Sequence, residues 1–267
     1  ATHVRITRIE DLHKSCGSKY VQSSLQDVYQ QVYYDLIEGK KVLFTGTSCY
    51  VEGLYLYLKK KRCGIDYLYT ADLICHGVPS PLMLKEFLSY VEKEQGSPVQ
   101  SVDLRNRKYS PSLVSTIRFQ NGEEITDKFY IDMFYTNLTM RDSCMHCQFT
   151  TRDKPADITM SDTIGIAEKY KSQLHGTSPS SIAIARTQKG LALLKRAELV
   201  LIPIQQDEFD QPRLHNPSKA NKQSDKFWKD YKEKGFRFVF RKYSYAGGLP
   251  SKFRRKYWKL THQWKEE

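Results

Sequence analysis

Cysteines carry the clearest chemical signal in this chain of 267 residues. Cys144 and Cys147 form a CMHC motif, which puts two soft ligands on one turn and suits zinc, an iron–sulfur cluster or a redox dithiol. Cys49 and Cys75 each follow a short apolar segment typical of a strand. Four thiolates at one place would match the ligand count of a 4Fe-4S cluster and equally that of an all-thiolate zinc site. Spacing leaves both sites open, and Cys49 and Cys75 are also compatible with small buried apolar residues.

The other cysteines and the nearby histidines have weaker signals. A thioredoxin-like dithiol lies at a helix N-terminus after a strand, whereas the CMHC motif follows a helix predicted over 131–138. Cys16 and Cys63 have no partner by spacing, so both are predicted to be non-ligands. His76 and His146 adjoin proposed ligands and could replace a thiolate or donate an N–H to a cluster sulfur.

The elements predicted around Cys49 and Cys75 bring these two residues to one place. Residues 41–45 predict a buried parallel strand that stops at Gly46, and residues 67–74 predict a second strand after an intervening helix. A strand, a helix and a strand in about 35 residues form a right-handed crossover unit whose strands are parallel. Both carboxyl ends then lie at one sheet edge, where open α/β sheets bind their ligands.

The rest of the sequence predicts further short elements, of which the Asn121-Gly122 hairpin has the strongest turn signal. Helices are predicted over 24–38, around 51–58, and over 81–95, 131–138 and 188–196, and strands over 99–104, 113–119, 124–130, 156–160 and 182–185. The predicted fold class is therefore α/β, a mixed sheet with parallel βαβ units and an antiparallel hairpin, plus a basic helical C-terminal extension.

Composition and charge restrict the class of protein. With 40% hydrophobic and 27% charged residues, the chain has an ordinary globular composition, which excludes a wholly disordered or collagen-like chain. The longest apolar run, 42–58, is interrupted by Glu52, so no membrane span is predicted. Residues 213–267 hold 16 basic residues against 5 acidic ones, so most of the net charge of +12 lies in this segment. Because no export signal is evident, the thiols predict a reducing, cytoplasmic location.

Several motifs together resemble a known family. They are SKYVQS at 18–23, KVLFTGTSC at 41–49, DLICHGVPSP at 72–81, SCMHCQF at 143–149, ADITMSD at 156–162 and GTS at 176–178. In this order they resemble the β subunit family of coenzyme F420 hydrogenases and dehydrogenases. These are iron–sulfur flavoproteins that pass electrons between a partner and a deazaflavin or other organic acceptor.

The resemblance implies specific roles for residues of this chain. It puts Cys49, Cys75, Cys144 and Cys147 on the family's cluster cysteines, and so favours a 4Fe-4S cluster over zinc. The residues that it implies as flavin contacts, or as bordering the flavin cavity, are Lys19, Ser23, Gly46, Thr47, Asp162, Gly176, Thr177 and Ser178. The implied flavin is FAD rather than FMN.

The polar and basic composition from Pro212 onward predicts a C-terminal appendage, and the resemblance implies the cofactors of the rest of the chain and its partners. Residues 1–212 would form the iron–sulfur and flavin domain, and residues 213–267 the basic C-terminal extension. The cluster would relay single electrons, and the flavin would collect two before delivering a hydride. A ferredoxin-type module or partner redox subunit and an organic electron acceptor would be its partners, with no membrane or nucleic acid involved.

The sequence also departs from the family pattern. Ser48 stands where the family commonly has proline in GTPC, and 161–165 read SDTIG where the family commonly has GDFWG. Two alternatives follow from the residues. One is a zinc-stabilised protein whose basic tail binds nucleic acid or an acidic partner. The other is a degenerate family member that has lost electron transfer and acts by docking to another subunit.

Overall fold

The fold comes from a computed structural model that describes residues 1–106, 108, 114–163, 166, 168–170, 172–173 and 180–243. The chain forms two compact units. Unit 1 contains Ala1–Ser24, Gly77–Met145 and the described residues from Ser218 onward, and unit 2 contains Leu25–His76 and His146–Pro217.

The helices and strands occur along the chain in the order that the sequence predicts. They are α1 (Val28–Ile37), β1 (Val42–Thr45), α2 (Ser48–Lys60), β2 (Leu68–Leu73), α3 (Pro81–Gln95), β3 (Val99–Asp103), β4 (Ser115–Phe119), β5 (Glu124–Asp127), α4 (Phe129–Tyr135), α5 (Asp142–Met145), β6 (Ile158–Asp162), β7 (Ser181–Ala185), α6 (Gln188–Arg196) and α7 (Ser224–Tyr243).

Unit 2 contains a four-stranded sheet in the order β1-β2-β6-β7. β1, β2 and β6 are parallel, and β7 is antiparallel to β6. The helix α2 connects β1 to β2, which confirms the predicted parallel βαβ unit. Helices α1 and α2 cover one face of this sheet because their apolar positions recur at helical spacing. The fully buried core residues of this region are Val51, Leu54, Leu58 and Leu68.

The carboxylate of Asp157 joins three elements of unit 2. Its Oδ2 accepts hydrogen bonds from the backbone N–H of Thr70 at 2.9 Å and from the Thr70 hydroxyl at 3.1 Å. Its Oδ1 accepts a bond of 2.6 Å from the hydroxyl of Thr187, the N-cap of α6. This one buried side chain therefore ties β2 to the start of β6 and to α6, and its burial is tolerated because both oxygens are hydrogen-bonded.

Unit 1 contains an antiparallel sheet in the order β3-β4-β5, which confirms the predicted hairpin. Gly122 has a φ of 89°, a left-handed conformation that glycine adopts at low cost. The Oδ1 of Asn121 accepts the N–H of Glu123 at 3.1 Å, which stabilises the turn.

The predicted strand over 124–130 is wrong in its last residues. β5 ends at Asp127, and the Oδ1 of Asp127 accepts the backbone N–H of Phe129 at 2.5 Å. This bond satisfies one of the free N–H groups at the start of α4, so the chain turns from strand to helix there. Phe129, Tyr130 and Ile131 are all buried in the core of unit 1.

The described part of the basic segment contains α7, which confirms the predicted C-terminal helix. Gly235, with a φ of 75°, breaks α7 into two helical segments. Phe227, Phe236 and Val239 from both segments are buried in the same core as Phe87 of α3. The described part of the basic segment therefore contributes to the core of unit 1, while the boundary proposed at residue 212 stays a prediction.

Across the described parts of the chain, no helix combines the length and apolar character that crossing a bilayer requires. All six cysteines lie in described parts, and each is a thiol rather than half of a disulfide.

Candidate functional site

Two of the predicted ligands, Cys49 and Cys75, lie just beyond the carboxyl ends of β1 and β2 in unit 2. The N–H of Gly46 donates to the carbonyl of Ala71 at 3.1 Å, so the two strand ends stay together beyond β1. Cys49 is the second residue of α2, and Cys75 lies two residues beyond β2. Both cysteines therefore follow the ends of neighbouring parallel strands, while their role as ligands stays a prediction.

Cys49 is exposed and lies in the first turn of α2. Its Sγ lies 3.0 Å from the Oγ1 of Thr47, the N-cap residue of the helix. The hydroxyl of Tyr29 donates a hydrogen bond of 2.6 Å to the carbonyl of Tyr50, the residue after Cys49. Burial raises the pKa of Tyr29, and the nearby Cys49 raises it further. The thiol of Cys49 is therefore both exposed and within hydrogen-bond distance of the Thr47 hydroxyl.

Asp72 lies on β2 and fixes the start of α2. It is buried, and its Oδ2 accepts a hydrogen bond of 2.6 Å from the hydroxyl of Ser48, the first residue of α2. Its Oδ1 is buried and has no hydrogen-bond partner within the described residues. Burial raises the pKa of Asp72, whereas the hydroxyls of Ser48 and Thr159 and the charges of Lys154 and Arg186 lower it. Asp72 therefore joins the helix that carries Cys49 to the strand that precedes Cys75.

Lys154 lies between the CMHC motif and β6 in unit 2. Its Nζ donates a hydrogen bond of 2.6 Å to the carbonyl of Phe149. Burial lowers the pKa of Lys154, and the negative charges of Asp72, Cys75 and Cys147 oppose that effect. The one hydrogen bond described for Lys154 therefore ties it to the residues that follow Cys147.

Cys144 belongs to unit 1 and lies on the short helix α5. Gly77, two residues after Cys75 in the chain, packs directly against this helix. A Cβ added to Gly77 would lie 2.8 Å from the Sδ of Met140 and 3.3 Å from the Cβ of Cys144. Gly77 also has a φ of 118°, so only glycine fits without strain at this position.

The predicted flavin contacts fall in both units. Lys19 and Ser23 belong to unit 1, and the Nζ of Lys19 donates to the backbone carbonyls of Cys16 and Gly17. Gly46, Thr47 and Asp162 belong to unit 2, where the exposed Asp162 ends β6. Gly176, Thr177 and Ser178 lie outside the described residues. The flavin contacts remain predictions.

The two cysteines predicted to be non-ligands point their thiols at nearby backbone. The Sγ of Cys16 lies 3.6 Å from the carbonyl of Leu12, and the Sγ of Cys63 lies 3.3 Å from the carbonyl of Gly64. Cys63 follows the C-terminal end of α2, the opposite end from Cys49. Cys63 is therefore a matched comparison for Cys49 and Cys75 in any test of metal binding.

Sequence reasoning did not single out Asp72, Asp157 or Lys154. The only available signal for Asp72 was a charged residue within an otherwise apolar strand, YLYTADLI. The signal for Asp157 was similar, because it is a charged residue directly before the apolar and buried start of β6. No sequence pattern pointed to Lys154, because a lysine in a polar connecting segment is ordinarily exposed to solvent.

The four proposed cysteine ligands have the right chemistry for a 4Fe-4S cluster, because four cysteine thiolates are the usual protein ligands of such a cluster. Each thiolate binds a different iron, so three ligands need not surround one ion. Within the residues that the structure describes, no three His, Cys, Asp or Glu side chains are grouped to hold a single metal ion.

Comparison with known proteins gives a family match. The family model for the C terminus of the beta subunit of coenzyme F420 hydrogenase/dehydrogenase matches residues 39–202. Among solved structures, the chain resembles one from the xenon-derivatised F420-reducing NiFe hydrogenase complex of Methanosarcina barkeri. The identity is 17%, the TM-score is 0.37, and the alignment covers 91% of this chain and 76% of that chain. No curated protein matches the sequence.

Proposed function

The chain belongs to the coenzyme F420 hydrogenase/dehydrogenase beta subunit family, and from this membership we propose that it is an iron–sulfur flavoprotein electron-transfer module. The family is one of oxidoreductase subunits, so the chain is a redox module of this kind. In the proposed activity it passes electrons between a 4Fe-4S cluster and a flavin, and from the flavin to a deazaflavin or another organic acceptor.

The proposed ligands of the cluster are Cys49, Cys75, Cys144 and Cys147. The observation that carries this proposal is the position of Cys49 and Cys75 after the ends of neighbouring parallel strands of unit 2. Open α/β sheets bind their ligands at that edge.

The proposed flavin is FAD, and the proposed contacts are Lys19, Ser23, Gly46, Thr47, Asp162 and residues 176–178. The position of Thr47 as the N-cap of the 13-residue helix α2 supports this, because N–H groups at a helix N-terminus suit a phosphate group. When bound, the cluster supplies one-electron transfer, and the flavin supplies the exchange between one-electron and hydride transfer. The protein's own residues would hold these groups and exclude water from them.

The proposed partners follow from the same family. Electrons would come from, or go to, a partner redox subunit or a ferredoxin-type module, and an organic acceptor would take part in hydride transfer. The proposed location is the cytoplasm, where thiols stay reduced and available to iron.

The test of this function is the quantification of iron, sulfide, zinc and flavin in protein purified without oxygen. We expect about four iron and about four sulfide per chain, with the broad visible absorbance of a cluster. Zinc without iron or sulfide would contradict the proposal and would favour a zinc-stabilised binding protein.

The ligand assignment has its own test, which compares Cys75→Ser with Cys63→Ser. Cys75→Ser is expected to lose the iron and the visible absorbance, because a hydroxyl is a poor ligand for this cluster. Cys63→Ser changes the same chemical group at the opposite end of α2 and should retain both. Unchanged iron in Cys75→Ser would reject Cys75 as a ligand.

A further inference from the structure

The first turn of α2 carries one proposed ligand and is held to the sheet by a buried hydrogen bond. Ser48 and Asp72 are each 2% exposed, and the Ser48 hydroxyl donates a hydrogen bond of 2.6 Å to the Oδ2 of Asp72. Burial strengthens such a bond, because the local dielectric constant is low. Cys49, the next residue after Ser48, is exposed. The exposed proposed ligand is therefore adjacent in the chain to a buried side-chain contact.

Helix α2 is tied to β2 at two points along its length. The Ser48 bond holds the first turn, and about two turns later the hydroxyl of Tyr55 lies 2.9 Å from the Oγ1 of Thr70. The N-cap residue Thr47 makes no side-chain capping bond to the helix backbone. Loss of the Ser48 hydroxyl therefore loosens the end of α2 that carries Cys49, while the Tyr55 contact still holds the middle of the helix.

The strand that leads to Cys75 is fixed by its own backbone bonds. Asp72 pairs with Thr159 in the register of β2 and β6, and the N–H of Ile74 donates to the carbonyl of Met160 at 2.9 Å. The chain is therefore held in the sheet as far as the residue before Cys75. A bond from Ser48 to Asp72 thus relates the start of α2 to a strand end that pairs independently of α2.

We propose that the bond between Ser48 and Asp72 is a positioning contact for the iron–sulfur cluster, because it holds the Cys49 ligand at a fixed place relative to the strand that leads to Cys75. This inference rests on the proposed function. Ser48 and Asp72 act through Cys49 and do not bind iron. Groups that orient metal ligands without binding the metal commonly change metal affinity by about 10- to 100-fold when they are replaced.

Two variants separate positioning from fold stability. Ser48→Ala leaves the buried Asp72 carboxylate without the bond from residue 48, so it should both destabilise the fold and speed the release of iron. Ser48→Ala/Asp72→Leu also replaces the carboxylate by an apolar group of similar shape, which removes the unbonded buried charge. The double variant is expected to regain stability relative to Ser48→Ala and still to release iron rapidly, because the contact remains absent.

Thr187→Val is the matched control, because it removes the same kind of bond elsewhere in unit 2. The Thr187 hydroxyl donates a hydrogen bond of 2.6 Å to the buried carboxylate of Asp157, and Thr187 is the N-cap of α6. Its loss should lower the stability of the fold. It should leave the position of Cys49 unchanged, because α6 carries none of the proposed ligands.

The experiment loads each protein anaerobically with iron and sulfide and follows the release of iron to a ferrous chelator by the loss of visible absorbance. Urea unfolding of the full chain without iron measures stability separately. Ser48→Ala and the double variant are expected to release iron at least about tenfold faster than the wild type. Thr187→Val is expected to be less stable than the wild type and to release iron at nearly the wild-type rate.

Iron release at the wild-type rate in the double variant, or equal acceleration in Thr187→Val, would overturn the inference and assign the Ser48–Asp72 bond a structural role alone. If Ser48→Ala does not fold, the double variant decides by the same comparison.

The same measurements separate this inference from the function on which it rests. Wild-type protein that binds no iron and sulfide would overturn the proposed function, and the positioning role of Ser48 and Asp72 with it. Wild-type protein that holds a cluster, with a release rate indifferent to the Ser48–Asp72 bond, would overturn the positioning role alone.

Discussion

Single residues decide whether polar groups can be buried in this protein. Asp157 is buried with both oxygens hydrogen-bonded, whereas Asp72 has one hydrogen-bonded oxygen and one without a partner in the described structure. Asp127 is half-buried, and it accepts a hydrogen bond from the N–H of Phe129 at the start of α4. The cost of taking each of these carboxylates out of water is offset only to the extent that hydrogen bonds replace its lost hydration.

Asp127 leads to a prediction about how the stability of the protein depends on pH. Burial raises the pKa of Asp127, and the hydrogen bond from Phe129 opposes that effect. A carboxyl group with a raised pKa in the folded state stabilises the fold fully below its unfolded pKa of about 3.9, and this contribution is lost as the pH rises through the folded value. Asp127→Asn keeps an oxygen acceptor for Phe129 and removes the charge. The stability of Asp127→Asn relative to the wild type is therefore expected to increase from about pH 4 to about pH 7.

Urea unfolding at several pH values measures this difference. Asp103→Asn is the control, because the exposed Asp103 accepts the N–H of Arg105 at 3.0 Å in the same i to i+2 pattern. A stability difference for Asp127→Asn that stays constant with pH, or that matches Asp103→Asn, would show that burial of Asp127 has no energetic consequence.

The candidate site was only partly predictable from single residues. The positions of Cys49 and Cys75 after neighbouring strands followed from the apolar runs and from Gly46, since these are local signals. The roles of Asp72 and Lys154 depend on which residues surround them after folding. Local sequence carries no such information, because buried and solvated lysines look alike in a polar link.

At the scale of elements, the approach of α6 to the start of β6 depends on Gly190. A Cβ at Gly190 would lie 2.8 Å from the carbonyl carbon of Asp157 and closer still to its backbone oxygen. These atoms are backbone and cannot rotate away, so Gly190→Ala must move α6 or the strand. Overpacking of this kind costs about 1–3 kcal/mol, more than the gain of up to about 1 kcal/mol from replacing a helical glycine with alanine.

Chemical denaturation checks the expected loss of about 1–3 kcal/mol in Gly190→Ala. Gly64→Ala is the matched control, because no atom lies within 4 Å of a Cβ at Gly64 and its backbone is not left-handed. Equal stabilities for the two variants would contradict the close contact between α6 and Asp157.

Elements with strong local signals were predicted correctly, and errors occurred where a tertiary contact ends an element. The βαβ unit and the hairpin at Asn121-Gly122 have regular apolar patterns and clear turn residues. The change from β5 to α4 depends on the local bond between Asp127 and Phe129 and on burial of the apolar residues of α4, and only this burial requires the folded chain. The apolar residues that follow Asp127 are compatible with a strand or a helix when read alone.

The whole molecule contains two compact units, each with its own apolar core. Separate cores permit separate unfolding transitions. Leu54 is fully buried in unit 2 and Phe87 is fully buried in unit 1. Leu54→Ala is expected to cost about 2–5 kcal/mol and Phe87→Ala about 3–5 kcal/mol, each in its own unit.

Differential scanning calorimetry tests this independence. Two transitions are expected, with Leu54→Ala lowering the temperature of one and Phe87→Ala that of the other. Each variant serves as the control for the other. A single transition that both variants lower together would mean that the two cores unfold as one cooperative unit.

The sheet of unit 2 takes strands from both sides of the inserted segment Gly77–Met145, and this order delays its completion. Thr70 and Asp157, which are hydrogen-bonded across β2 and β6, are 87 residues apart in the chain. During translation, β1 and β2 leave the ribosome long before β6 is synthesised. The edge of β2 that pairs with β6 therefore stays unpaired while the inserted segment is synthesised. Such distant pairing slows folding and exposes a sheet edge to other nascent chains, and chaperone contact should therefore concentrate on this interval of translation.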